Sequence, residues 1–200
     1  MTDSHRPLDD VPLIDDPRSL RALAHPIRIA LVEQLTMRGP LTATEAGERI
    51  GESPSTCSFH LRQLAKYGFV EEAGERSGRS RPWRITRLGM RLDNEAGAAE
   101  TRVASSVLAR MLRERQLDRY RRWLETQDGY PAEWRRAAED SEFVFWLTAE
   151  ELAALGSELV DLLLPRFRER LTDPSARPAG ALPVEMLVLG YPIEAPEARP

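Results

Sequence analysis

Residues 42–72, TATEAGERIGESPSTCSFHLRQLAKYGFVEE, decide the fold of this chain. The stretch predicts two helices, 44–50 and 54–66, separated by a short turn. Gly47 is small enough for two helices to approach closely, and Gly51 tolerates the backbone of the turn between them. Both glycines stand at the separation that a helix-turn-helix requires, so we predict that motif here.

The second predicted helix has a well-defined start and two different faces. Ser53 can cap it, and Pro54 suits its first turn. At about 100° per residue, one face carries the apolar side chains, which are Cys57, Leu61 and Leu64. The opposite stripe carries Ser55, Phe59, Arg62 and Lys66, flanked by Thr56 and Ser58.

That stripe has the chemistry of a helix that enters the major groove of DNA. A solvent-exposed Phe59 can contact a thymine methyl group, and Arg62 can bind guanine or phosphate. The alternative is that Phe59 packs against a neighbouring segment or is a tolerated surface aromatic. We predict DNA contacts for six residues of this helix, namely Ser55, Thr56, Ser58, Phe59, Arg62 and Lys66.

A basic hairpin is predicted directly after the motif. Residues 69–72 and 82–86 have the composition of strands, and the polar loop 74–81 joins them. Three arginines lie in this loop and make the hairpin basic, namely Arg76, Arg79 and Arg81.

The charge distribution agrees with a local nucleic-acid surface. The whole chain has a formal net charge of -4, yet residues 17–91 carry thirteen basic and seven acidic side chains. A basic segment inside an acidic protein can attract phosphates without promoting contacts elsewhere. We take residues 17–91 as the DNA-binding domain, residues 1–16 as a flexible acidic tail and residues 92–200 as a second region.

Three stretches together resemble the ArsR/SmtB group of winged-helix repressors: LRALAHPIRIALVEQL (20–35), the segment quoted first, and RSGRSRPWRIT (76–86). The resemblance covers residues 18–88. It implies a homodimer whose two recognition helices enter successive major grooves of double-stranded DNA, with an imperfect palindrome as the binding site. It places five helix residues at base-reading positions, namely Ser55, Thr56, Ser58, Phe59 and Arg62. It places Arg76, Arg79 and Arg81 in the wing, which touches the DNA backbone or minor groove.

The chain departs from the metal-sensing members of that group. Those proteins use paired cysteines or clustered histidines and carboxylates, whereas this chain has Cys57, His5, His25 and His60. Cys57 and His60 are three residues apart on one helix, so a metal pair is geometrically possible. A free cysteine is more often a small core residue, and we therefore predict no metal site and no cofactor.

The fold class expected for the whole chain is mainly α with small β, an α+β arrangement. A long amphipathic helix at about 98–125 is predicted to hold the dimer, through Val103, Val107, Met111 and Leu117. Beyond it we predict strands at 142–147 and 184–191, a helix opened by the capping box 148–151, and a proline-rich loop at 173–183. A helix that packs only on its own domain is the alternative for residues 98–125.

Aromatic residues are concentrated in this second region. They could line a pocket for an apolar small-molecule effector, and the candidates are Trp123, Trp134, Phe143, Trp146 and Tyr191. The alternative is that they form the core of a small α+β domain.

Composition narrows the functional classes further. A chain of 200 residues with 42% hydrophobic content can bury a core, and its single cysteine allows no internal disulfide. The first 16 residues lack the pattern of a signal peptide, and the longest apolar run, 159–164, is too short to span a membrane. We expect a cytoplasmic bacterial regulator of transcription, a repressor and not an enzyme. The alternative is a winged-helix module for protein–protein contacts.

Overall fold

The computed structural model describes residues 11–74, 81–87, 89–92 and 98–194. Its helices are α1 (Pro17–Leu23), α2 (Pro26–Arg38), α3 (Ala43–Ile50), α4 (Pro54–Lys66), α5 (Ala99–Thr126), α6 (Ala132–Ala137) and α7 (Ala149–Thr172). Its strands are β1 (Leu13–Ile14), β2 (Val70–Glu72), β3 (Trp83–Ile85) and β4 (Arg91–Leu92). The predicted fold class, mainly α with small β, is confirmed.

The helix-turn-helix forms as predicted because its capping residues and its two glycines adopt the local geometry that the sequence predicts. The hydroxyl of Thr42 accepts from the Glu45 amide, and the Glu45 carboxylate accepts from the Thr42 amide, so a capping box opens α3. Gly51 ends α3 with a φ of 73°, in the left-handed region. A Cβ atom at Gly47 would lie 2.5 Å from the Glu52 carbonyl oxygen, so only glycine allows this approach of the chain.

The hairpin that follows is the wing. Strands β2 and β3 are antiparallel, with Val70 opposite Ile85 and Glu72 opposite Trp83. Leu41, between α2 and α3, pairs with Trp83 and thereby extends this small sheet. The wing is therefore tied to the helices by backbone hydrogen bonds as well as by its buried side chains.

One continuous core joins these elements. Its fully buried leucines and isoleucine come from α1, α2 and α4, and Phe69, Val70 and Trp83 come from the wing. The first half of α5 also contributes, because Ala104 and Leu108 belong to the same cluster. The core therefore extends past residue 91, where the sequence placed the end of the DNA-binding domain.

The residues just before the predicted domain start at residue 17 also have defined contacts. Leu13 and Ile14 pair in parallel with Arg91 and Leu92 of β4, and Ile14 is buried. The Asp16 carboxylate then accepts from two backbone amides to cap α1. Residues 11–16 thus differ from the flexible tail expected for residues 1–16, because one apolar side chain and one capping carboxylate fasten them.

Helix α5 spans nearly the predicted range, but its apolar residues do not share one face. Thr101, Ala104, Ser105 and Leu108 are buried against the winged helix, and Met111 packs beside them. Val103 and Val107 remain 65% and 38% exposed on another side. The predicted dimer stripe is therefore divided: Met111 serves its own core, and Val103 and Val107 are available to a partner.

The two strands predicted in the second region are wrong. Residues 142–147 and 184–191 have no regular secondary structure, because neither meets a partner strand among the described residues. The capping box before α7 is confirmed, since Thr148 and Glu151 exchange both bonds. None of the described residues after Leu108 is buried.

Candidate nucleic-acid interface

The two predicted faces of α4 are observed. Cys57, Leu61 and Leu64 are fully buried in the core. The opposite stripe faces solvent along the whole helix, and its exposed members are Ser55, Phe59, Arg62 and Lys66. Thr56 and Ser58 are half-buried at its edges. The packing of α3 and the wing against one side thus leaves the other side of α4 free to approach a ligand.

The start of α4 is held by a small hydroxyl cluster. The Ser53 hydroxyl accepts from the Thr56 amide at 3.1 Å. It also lies 2.9 Å from the Ser55 hydroxyl and 2.8 Å from the Thr56 hydroxyl. These contacts fix the first turn, where free backbone amides and the helix dipole favour negatively charged groups.

The centre of the exposed stripe combines an apolar ring with a cation. Phe59 is 52% exposed and touches the His60 ring edge-on, with centroids 5.2 Å apart. Arg62, one turn further on, has no hydrogen bond or ion pair to another described residue. Lys66 lies over the Tyr67 ring, 5.8 Å from its centroid. The stripe therefore offers an apolar contact and a guanidinium that no other described residue pairs with.

The wing places its described arginines beside acidic residues. Arg81 pairs with Glu72 at 2.9 Å, and Arg84 pairs with Glu71 at 2.7 Å. Both pairs are exposed, so a phosphate can compete for the arginines at small cost. Arg76 and Arg79, the other predicted wing contacts, lie outside the described residues.

His25, which precedes α2, packs against His60 of α4, and this pair was not predicted from the sequence. The His25 and His60 rings lie 4.6 Å apart, and His25 Nδ1 accepts from the Ile27 amide to cap α2. Burial, and then the positive charge of Arg28, lower the pKa of His25. The same causes, together with His25 itself, lower the pKa of His60. The HP step at residues 25–26 was the available signal, since a residue before proline leaves the helical region and can serve as a cap.

The described residues contain no group of three histidines, cysteines or carboxylates able to hold a metal ion. Burial raises the pKa of the Cys57 thiol, which opposes the thiolate that a metal requires. None of the described helices is long and apolar enough to cross a bilayer.

Three of the five predicted effector residues face solvent. Phe143, Trp146 and Tyr191 are 71%, 96% and 69% exposed. Trp123 packs edge-on against Tyr130 instead, at 4.9 Å, and Trp134 is half-buried. No described residue after Leu108 is buried, so these side chains do not form the buried core that was the alternative.

A shallow groove of about 450 Å³ lies between α1 and α5. Ala24, Val103, Ala104 and Val107 line it, and Arg21 and Glu100 form an ion pair at its edge. Its lining is mainly apolar.

Residues 23–73 match the family model described as a helix-turn-helix domain. No curated protein sequence is significantly similar to the chain. Among solved structures, reduced HlyU from Vibrio cholerae N16961 aligns at 20% identity and a TM-score of 0.30, covering 47% of this chain and 84% of its own. An ArsR family transcriptional regulator aligns at 22% identity and a TM-score of 0.30, covering 50% of this chain and 84% of its own. The family-model match confirms the predicted helix-turn-helix, and the β2–β3 hairpin that follows makes it a winged one.

Proposed function

We propose that this protein is a transcription regulator that binds specific sites in double-stranded DNA, with α4 as its recognition helix. The observation that carries the proposal is the division of α4 into a fully buried face and an exposed stripe of hydroxyl, aromatic and cationic groups. A helix that only completes a core needs no such outer stripe. A helix in the major groove needs both the buried face and the exposed stripe, because the buried face fixes the orientation of the side chains that meet the bases.

The roles of the individual residues follow from their positions. Phe59 contacts a thymine methyl group, and Arg62 binds guanine or a phosphate. Ser55, Thr56 and Ser58 contact the bases or backbone near the start of the helix, and Lys66 binds phosphate. Arg81, with Arg76 and Arg79, binds the backbone from the wing.

A homodimer and an imperfect palindrome complete the proposal. One winged helix covers too little DNA for tight binding, whereas two copies related by a twofold axis address half-sites about 10 base pairs apart. The α1–α5 groove, with Val103 and Val107 exposed beside it, supports a contact between copies at that place. The protein acts in the cytoplasm as a repressor that occupies its site without a metal, and not as an enzyme.

The salt dependence of binding tests this function. Sites are first mapped across the genome, and binding of a mapped duplex is then followed by fluorescence anisotropy at increasing potassium chloride. Each phosphate contact should contribute about -0.9 to the slope of log K against log salt. A steep linear decrease for the mapped duplex, with weaker binding of a shuffled duplex, is the expected result. A flat dependence, or no binding to duplex DNA, would instead favour a protein–protein module.

A further inference from the structure

His60 lies next to Phe59 on the buried side of α4, and no DNA contact is assigned to it. The residue is 9% exposed, and its Nδ1 atom has no hydrogen-bond partner among the described residues. Arg28, whose charge acts on His60, has a buried Nε atom in the same condition. Buried polar atoms are nearly always hydrogen-bonded, because leaving one unbonded costs free energy. Two such atoms at one place indicate that this site does more than complete the core.

Three rings form a row from the start of α2 to the exposed stripe of α4. The His25 and His60 rings lie 4.6 Å apart, and the His60 and Phe59 rings lie 5.2 Å apart and nearly perpendicular, at 78°. The inner end of the row is fixed, because His25 Nδ1 accepts from the Ile27 amide at 3.2 Å. Phe59 at the outer end is 52% exposed, and its covered side meets the His60 ring. The orientation that Phe59 offers to a base therefore depends on His60.

The surroundings of His60 oppose its protonation. Burial is the largest cause of its lowered pKa, followed by the charges of His25 and Arg28. Glu52, in the turn before α4, acts in the opposite sense and more weakly. The pKa of His25 is also lowered, by burial and then by Arg28. Protons on both rings would thus place two positive charges 4.6 Å apart, beside a third.

Charged side chains on the other elements packed against α4 have partners of their own or face solvent. Arg21 of α1 and the glutamates of β2, Glu71 and Glu72, are held in ion pairs. Glu48 and Arg49 of α3 are exposed. The two histidines and Arg28 therefore form one buried, cationic group when acid protonates the rings.

We propose that His60 is a positioning residue for Phe59, and that acid weakens the recognition of specific DNA by charging the His25–His60 pair. The neutral pair keeps the three rings in contact. The charged pair separates, because two imidazolium rings beside Arg28 repel each other where little water screens them. Phe59 then loses its support and its contact with the base. This inference rests on the proposed function, since it concerns α4 in contact with DNA.

The pH dependence of specificity tests the proposal. Binding of a mapped and of a shuffled duplex to the full-length protein is measured by anisotropy at pH 7.5 and 5.5, at constant salt. Acid makes the whole protein more positive and strengthens phosphate contacts with any duplex, so the ratio of the two affinities reports on Phe59. That ratio should fall at least about fivefold at pH 5.5, the lower value for loss of one base contact.

Four variants identify the groups responsible. His60→Gln should reduce the fall of the ratio to less than about twofold, because no ring titrates at that position. His25→Asn should give a fall between those of His60→Gln and the wild type. Phe59→Ala should also stay below about twofold, since His60 acts through Phe59. His5→Asn removes the third histidine of the sequence; it is the control and should keep the full fall.

Three results would overturn the proposal: a wild-type ratio that does not change with pH, a full fall in His60→Gln or Phe59→Ala, or equal losses of both affinities in acid. Equal losses would show that the histidines act on the whole fold and not on recognition. His25→Asn keeps the helix cap, so a full fall in that variant decides against the proposal if His60→Gln does not fold. A ratio near one already at pH 7.5 would contradict the proposed function, and this inference with it.

Discussion

At the scale of single residues, Arg62 and Phe59 carry the proposed base contacts. Arg62→Ala and Phe59→Ala should each weaken binding of a mapped site by about 1–3 kcal/mol, because each removes one contact to a base edge or methyl group. Binding of a shuffled duplex should change less. Anisotropy titrations of both duplexes measure the difference.

Arg136→Ala is the matched control, since it removes an exposed arginine of α6 outside the winged helix. It should leave the ratio of affinities for mapped and shuffled duplexes as in the wild type. If Arg62→Ala and Phe59→Ala also leave that ratio unchanged, α4 is not the recognition helix.

Gly47 is the residue on which the helix-turn-helix geometry depends. Gly47→Ala would place a Cβ atom 2.5 Å from the Glu52 carbonyl oxygen, and the forced shift of backbone should cost about 1–3 kcal/mol of unfolding free energy. Gly156→Ala in α7 is the control, because its Cβ would meet nothing within 4 Å. That change should stabilise by roughly 0.5–1 kcal/mol. Urea unfolding compares the two, and equal effects would contradict the close approach at Gly47.

At the scale of elements, the winged helix was predictable because its signals are local. Ser53, Pro54, Gly47 and Gly51 each act within a few residues, and the observed α4 has the predicted bounds, 54–66. The observed α3 begins at Ala43, one residue before the predicted start, and ends at Ile50 as predicted. Short-range capping and turn chemistry therefore fixed most of this domain.

The second region was less predictable because its structure depends on distant partners. The segments 142–147 and 184–191 have strand composition, but a strand exists only when another edge accepts its hydrogen bonds. The pairing of Leu13–Ile14 with Arg91–Leu92 joins residues far apart in sequence, and two-residue strands leave almost no periodic pattern. The division of the α5 apolar residues between two sides likewise depends on where α1 packs.

The two histidines make the contact of α2 with α4 sensitive to pH. Because the pKa of His25 is lower in the folded protein, the unfolded chain binds more protons once the pH falls below about 6.5. Stability is therefore retained above that pH and lost as the pH falls towards the folded pKa. His25→Asn keeps a capping side chain and should reduce the loss of stability between about pH 6.5 and 5.

Urea unfolding at a series of pH values measures this effect. His60 still titrates in the variant, so part of the pH dependence should remain. His25→Asn should match the wild type at pH 7.5 to within about 0.5 kcal/mol, as expected for exchange between capping residues. An unchanged slope below pH 6.5 would show that His25 does not contribute.

At the scale of the whole molecule, one ionic network links the winged helix to the second region. Glu33 of α2 accepts from Arg115 at 3.1 Å and from Arg119 at 2.6 Å, and Arg119 also binds Glu185. Burial acts to raise the pKa of Glu33, but the hydrogen bonds from both arginines outweigh it and lower the pKa. The position of the 184–191 segment is thereby coupled to α2.

Glu33→Gln should reduce the unfolding free energy at pH 7 by about 1–2 kcal/mol, because it leaves two partly buried arginines without their shared carboxylate. The folded pKa of Glu33 is lowered, so its contribution is present above about pH 4.5 and lost as the pH falls below it. Glu48→Gln, at an exposed position of α3, is the control and should have little effect. Equal urea midpoints for the two variants would contradict the network.

The central claim, that α4 recognises specific double-stranded DNA, is tested most directly by one ratio. The wild-type affinity for a genome-mapped duplex is divided by its affinity for a shuffled duplex of the same composition, at physiological salt. We expect a ratio of about 10³ or more, the range of specific DNA-binding proteins. A ratio near one would contradict it, because binding would then rest on phosphate contacts alone.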